Sequence, residues 1–154
     1  MVYRKEAGWD QSDSGGDDDG FRNLSVTGKA NIDLTDDLTL RLSGRLSDRL
    51  VEFDDGAGFG CGSPSCYLVD SADHTKGRDI MFGASADYRS LGGALVSTPS
   101  FSYSSRDDHL QGTGWSVDTE VSTLKAGHQA AYTFGDADQH KVIGAAEFER
   151  ETFR

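Results

Sequence analysis

One stretch, NLSVTGKANIDLTDDLTLRLSGRLSDRL from Asn23 to Leu50, constrains the fold more than any other, because apolar and polar residues alternate along most of it. Leu24, Val26, Gly28, Ala30, Ile32 and Leu34 occupy the even positions, with Ser25, Thr27, Lys29, Asn31 and Asp33 between them. The alternation resumes after Thr35-Asp36-Asp37, setting Leu38, Leu40, Leu42, Leu46 and Leu50 against Thr39, Arg41, Ser43, Arg45, Ser47 and Arg49. Successive side chains of a strand point to opposite sides of its sheet, so a period of two marks a strand. Two such runs across a short polar turn predict a hairpin with one apolar and one wet face.

The same reading along the whole chain predicts strands at about 1–8, 21–34, 38–53, 78–89, 94–106, 118–134 and 139–153. The expected class is all-β: an antiparallel up-and-down meander of about seven long strands, forming a curved open sheet or part of a transmembrane β-barrel. Short connections at 35–37, 90–93 and 135–138 alternate with long ones at 9–20, 54–77 and 107–117. In a meander every second connection lies at the same end, so one rim carries tight turns and the other long loops. Outer-membrane barrels have this asymmetry, with long loops outside the cell. Leu38 to Phe53 also exceeds the usual strand of about 5–6 residues and is long enough for the roughly 9–11 that cross a bilayer. Asp48, the one charge on the apolar face of that strand, falls past the tenth residue from the turn, where a charge costs less. Tyr88, Tyr132 and Phe134 flank short turns, as interfacial aromatic residues do. His128 stands out, falling among Leu124, Ala126, Ala130 and Tyr132 on a face that would meet lipid.

The chain has 154 residues and a formal net charge of -11, so one domain is expected. No window approaches the roughly 18–20 unbroken apolar residues of a membrane helix, and MVYRKEAGWD lacks the apolar centre of a secretion signal. The acidic balance argues against nucleic acid and against anionic membrane surfaces as partners, because phosphate recognition needs clustered Lys and Arg.

Cys61 and Cys66, in CGSPSC, fit a short disulfide in an oxidising compartment, with a pair of free thiols as the alternative. Zinc would need two further ligands from His74 and the local aspartates. No catalytic constellation emerges, so an enzyme is not expected. SFSYSSRDDH holds Ser, Asp and His close in sequence, but lacks the strand-to-helix elbow of a nucleophile. No cofactor is required; calcium is the one ion the acidic loops could take, through Asp13, Asp17, Asp18 and Asp19 or through Asp54, Asp55, Asp70 and Asp73. Neither set has EF-hand spacing, and a solvated acidic loop is the plainer reading. Trp9, Tyr67, Arg106 and Trp115, in or beside the long connections, are the ligand-contacting candidates. Arg41, Arg45 and Arg49 recur every fourth residue on the polar face, where they would line a lumen and pair with Glu147, Glu149 and Glu151 or guide substrate.

Two segments carry a family resemblance. DGFRNLSVTGKANIDLTDDLTLRLSGRLSDRLVEFDD (Asp19–Asp55) and HQAAYTFGDADQHKVIGAAEFERETFR (His128–Arg154) resemble hairpins of the barrel of TonB-dependent outer-membrane receptors. The resemblance implies a place in the outer membrane of a Gram-negative bacterium, contact with lipid and lipopolysaccharide, and uptake of a scarce nutrient such as siderophore-bound iron, cobalamin or a saccharide. It also implies partners: the rest of the barrel, a plug, and the TonB energy-coupling complex. Family barrels have about 22 strands around a plug, so a chain of about seven strands without a plug reads as an internal segment. Two alternatives stand beside it: a small complete outer-membrane barrel with a structural or adhesion role, and a soluble extracellular β-sandwich that binds calcium or glycan.

Overall fold

The computed structural model describes residues 1–9, 16, 18–56, 68–135 and 140–154. Seven strands, β1 (Val2–Glu6), β2 (Phe21–Thr35), β3 (Leu38–Gly56), β4 (Leu68–Ser90), β5 (Leu95–Gly112), β6 (Trp115–Phe134) and β7 (His140–Phe153), form one open antiparallel sheet in sequence order. The up-and-down meander expected from the alternation is the architecture observed.

At one rim the connections are tight. Asp36 and Asp37 close β2 onto β3, where the Asp37 N–H donates to Thr35 Oγ1 (3.2 Å) and Thr39 Oγ1 donates to Asp33 Oδ1 (2.7 Å). A single 3-10 turn, Leu91–Gly93, joins β4 to β5, and all three of its residues have positive φ. At the other rim, 7–20 and 57–67 separate β1 from β2 and β3 from β4. The third connection there departs from the sequence reading. Residues 107–117, expected as a long loop, are strand on both sides of Thr113 and Gly114. Gly114 sits at φ +82°, a left-handed conformation that glycine adopts without steric cost. The 54–77 loop is likewise shorter than expected, because β4 begins at Leu68 and pairs Asp73 with Phe53 and Leu68 with Gly56. In both segments charged and hydroxyl residues occupy both faces, so no apolar period announces the strand. The ladder that starts lower in the sheet simply continues through them.

Directly paired residues share a face, so the registers assign every strand position. Ala30, Leu42, Ala84, Phe101, Ala126 and Phe148 form one apolar row across β2 to β7. Val26, Leu46 and Ile80 extend the apolar surface towards the long-loop rim, and Leu38 with Tyr88 closes it at the other. None of the described residues forms a layer over this face. Among the described residues Ala131 is the only buried hydrophobic side chain, whereas Ile32, Leu46, Phe82 and Phe148 are more than 40% exposed. A soluble sandwich would need a second sheet over Leu40, Leu42 and Ile32, and the described residues supply none.

His128 stays on the apolar face, with Nε2 2.8 Å from the Ser97 hydroxyl, so a neighbour in the same surface satisfies it. It pairs with Pro99. Proline has no N–H to give the ladder, and the β4–β5 pairing is interrupted between Ser85–Ser100 and Tyr88–Ser97.

Replacing Gly114 with Val should cost about 1–2 kcal/mol, the usual penalty for a left-handed L-residue. The expected readout is a lower unfolding midpoint, with faster amide exchange confined to residues 107–117.

Candidate functional site

The chemistry of the sheet gathers where its apolar surface ends. On the outer, apolar side the row after Val26, Leu46 and Ile80 reads Leu24, Asp48, Arg78, Asp107 and Glu120 from β2 to β6. Arg78 lies 3.7 Å from Asp48, and Arg154 lies 3.7 Å from Glu120. One row further out are Lys5, Arg22, Leu50, Lys76, His109 and Asp118, with His109 Nδ1 2.5 Å from Asp118 Oδ1. On β5 to β7 the change starts one row earlier, at Ser105, Ser122 and Thr152. Inside the band the ionisable members on this face are His128 and Arg150, the latter opposite Leu124 on the edge strand.

At the same height on the polar face is a four-membered ion network. Arg49 on β3 donates through Nη1 to Asp79 Oδ2 on β4 (3.2 Å) and through Nη2 to Asp108 Oδ1 on β5. Arg106 Nε stands 3.3 Å from both Asp79 Oδ1 and Asp108 Oδ2. Two cations and two carboxylates thus neutralise one another across three strands. Gly77 makes this possible. It lies between Arg49 and Asp108 in register, and a Cβ there would stand 2.5 Å from Arg49 Nε and from Asp108 Oδ1. The guanidinium crosses β4 through the space that the missing side chain leaves.

The three arginines picked out by spacing do share the polar face, but with different partners from those expected. Arg41 pairs with Asp87 at 2.5 Å, and Arg49 with Asp79 and Asp108. Arg45 has no ion pair among the described residues. Glu147, Glu149 and Glu151 lie on β7, four strands from β3, too far to reach; Glu149 pairs instead with Lys125 at 2.8 Å. The ligand-contacting candidates are not brought together. Arg106 is inside β5 and committed to the network. Trp115 opens β6, its indole ring over Gly112. Trp9 follows β1 at the far edge and is 71% exposed. Tyr67, Cys61 and Cys66 lie outside the described residues.

Of the calcium candidates, Asp13 and Asp17 lie outside the described residues, and only the backbone of Asp55 is described. Asp54 Oδ1 accepts from the Ser71 N–H (3.2 Å). Asp73, buried at 3% exposure, accepts from Thr113 Oγ1 (3.0 Å), which ties the β5–β6 turn to β4. Among the described residues no three His, Cys, Asp or Glu side chains are placed to hold a metal ion together.

Sequence reasoning missed Asp79, Asp87 and Gly77, and it missed the row of Lys5, Arg22 and Lys76. Single-strand alternation gives each residue a face but leaves open which residue of the next strand it meets. Compared with protein-family models, with curated proteins and with solved structures, the chain has no match.

Gly77→Ala should destabilise the fold by about 1–3 kcal/mol through overpacking. If the cause is the crossing guanidinium, the penalty shrinks when Arg49→Ala is already present, a non-additivity that a double-mutant cycle of unfolding midpoints would measure.

Proposed function

We propose that the chain forms part of the wall of an outer-membrane β-barrel, and that the barrel is a TonB-dependent receptor for a scarce nutrient. One observation carries the first step: a wide apolar face with none of the described residues layered over it gives way to a charged row on β3 to β6, one row after hydroxyl residues begin on β5 to β7. A sheet normally buries its apolar face against a second layer. Here hydrocarbon takes that role. The apolar run from Leu38 to Leu46 on β3, matched by Tyr88 to Ile80 on β4, spans about nine residues, close to the 9–11 of a transmembrane strand. Tyr88, Tyr132 and Phe134 lie at the tight-turn rim, and the last two stack at 5.7 Å between centroids. They supply an interfacial aromatic belt.

The second step, from barrel wall to receptor, rests on the resemblance of Asp19–Asp55 and His128–Arg154 to hairpins of that family. On this reading the polar face lines the lumen, the extensions beyond Asp48 stand outside the membrane, and connections 7–20 and 57–67 face the medium where ligand arrives. Ligand capture and gating belong to loops and a plug acting together. This chain contributes wall and loops.

A brominated-lipid experiment tests the wall directly. Tryptophan at Leu42 should be strongly quenched in bilayers, whereas tryptophan at Ser43, one residue along but on the other face, should not. Equal quenching at the two positions would rule the wall out. Charge scanning gives an energetic counterpart: Leu42→Arg should cost about 2–4 kcal/mol in a bilayer and Leu50→Arg, beyond the band, about 0–1, read from folding in lipid.

A further inference from the structure

Two neighbouring glycines leave a hollow in the apolar face that the chain's own packing does not require. Gly28 on β2 is paired directly with Gly44 on β3, and Gly44 with Phe82 on β4. Glycine inside a strand weakens it, because it loses the most conformational freedom and brings no side chain to pack. The usual backbone reasons for accepting that cost do not apply here: both residues sit in an unbroken stretch of ladder, and neither has positive φ. A Cβ built on Gly28 would meet nothing within 4 Å, and one on Gly44 only the Met81 carbonyl oxygen at 3.8 Å. No atom of Phe82 comes that close, so the ring does not lie over the glycine it faces. It is 45% exposed beside the gap instead. Gly28, Ala30, Leu42, Gly44 and Phe82 line a hollow of about 370 Å³.

Close approach of something outside the chain is the remaining reason for such glycines, and the row that holds the hollow also holds a shape that fits it. We infer that this face pairs with a second copy of the chain, Phe82 of each copy entering the hollow at Gly28 and Gly44 of the other. The inference rests on the barrel-wall reading and is independent of the receptor step. Two walls with the same orientation in one bilayer can be related by a two-fold axis along the membrane normal. With that axis between β3 and β4, β3 of one copy faces β4 of the other, which sets glycine against phenylalanine twice in one isologous contact. Barrel strands tilt by about 35–45°, so the two walls cross and touch over a small patch rather than along their lengths. A hollow and a knob side by side suit such a patch. The driving force is packing, because each partner gives up hydrocarbon as apolar as itself: small residues let the backbones approach, and a rigid ring fills the gap more closely than a mobile acyl chain. Leu46 and Ile80 border the contact on one side and Leu42 and Ala84 on the other. On β2 to β4 the nearest charges of this face, Asp48 and Arg78, are two rows away.

The test uses the complete 154-residue chain, folded into phosphatidylcholine vesicles and labelled at its amino terminus with a donor or an acceptor dye. Energy transfer, followed as lipid is added, reports association. The unmodified chain should show transfer well above that of random encounter, falling on dilution along a monomer–dimer isotherm. Phe82→Ala, which removes the knob, and Gly44→Val, which fills the hollow, should each weaken association by about tenfold. Mixing the two variants separates a lost contact from a damaged fold. A mixed pair keeps one knob facing one hollow, so transfer between Phe82→Ala donor and Gly44→Val acceptor should exceed that of either variant with itself. Gly144→Val, on β7 and outside the patch, should leave association unchanged. Transfer at the random level in the unmodified chain, transfer indifferent to both variants, or no recovery in the mixture overturns the pairing and leaves acyl chains in the hollow. The wall reading then still stands on the quenching contrast between positions 42 and 43, and loss of that contrast overturns both.

Discussion

An apolar sheet face over which the described residues place no second layer is the constraint on which the rest of this molecule depends. A domain in water gains its stability by removing such surface from solvent, at about 25 cal/mol per Å², and sheets do so by packing on helices or other sheets. Here the described residues bury one hydrophobic side chain, Ala131. Backbone hydrogen bonds within a single sheet do not make up the difference, because each contributes only about 1 kcal/mol net once water is displaced. The face therefore needs an apolar solvent. On the barrel-wall reading proposed above, hydrocarbon meets that need and also accounts for strand lengths that a soluble sheet seldom uses.

On that reading, lipid on one side imposes a condition on the other. The polar face must carry its charges at moderate cost, and it does so by pairing them across strands. Arg41 with Asp87, Lys125 with Glu149, and Arg49 and Arg106 with Asp79 and Asp108 are ion pairs between strand neighbours or within one strand's reach. Singly, exposed pairs of this kind contribute little. The Arg49 network differs because Arg49, Asp79 and Asp108 are half-buried and mutually satisfied, and because Gly77 removes the side chain that would stand between them. Small residues on the same face, Ser43, Gly83, Ser102 and Gly127 among them, keep the surface between the charged clusters low.

The sequence was legible where one face is apolar and illegible where both faces are polar. Leucines at 38, 40, 42 and 46 announce β3 because no outward position from Leu38 to Leu46 is polar. By contrast Asp107, Asp108, His109 and Gln111 alternate nothing, and with Gly112, Thr113 and Gly114 after them they read as loop. They are strand because the ladder from Phe101 and Tyr103 carries on into them and Gly114 closes the turn. The arginine spacing of β3 located the polar face correctly but gave no partner, since pairing depends on the register between strands. Asp79 could have been found by noticing that it shares parity with Gly77 and Met81 on a strand whose other parity holds Ile80, Phe82 and Ala84. The basic row could not, because Lys5, Arg22 and Lys76 lie far apart in the chain and meet only in register.

The two charged levels coincide, and this bears on the barrel-wall reading proposed above. On the outer face the first charges are Asp48, Arg78, Asp107 and Glu120; on the inner face the densest ion network is built from Arg49, Asp79, Arg106 and Asp108. These are successive residues on the same three strands, β3, β4 and β5, plus one neighbour. Below that height the two faces have opposite character; above it both are charged, and the strands run on for several residues. A sheet that simply ended in solvent would have no reason to continue pairing beyond its apolar zone. On the proposed reading a wall that emerges from a bilayer does, because its backbone N–H and C=O groups stay paired beyond the apolar zone. The open edges at β1 and β7 fit the same picture, since an unpaired strand edge is a template for another strand, and neighbouring wall would complete both.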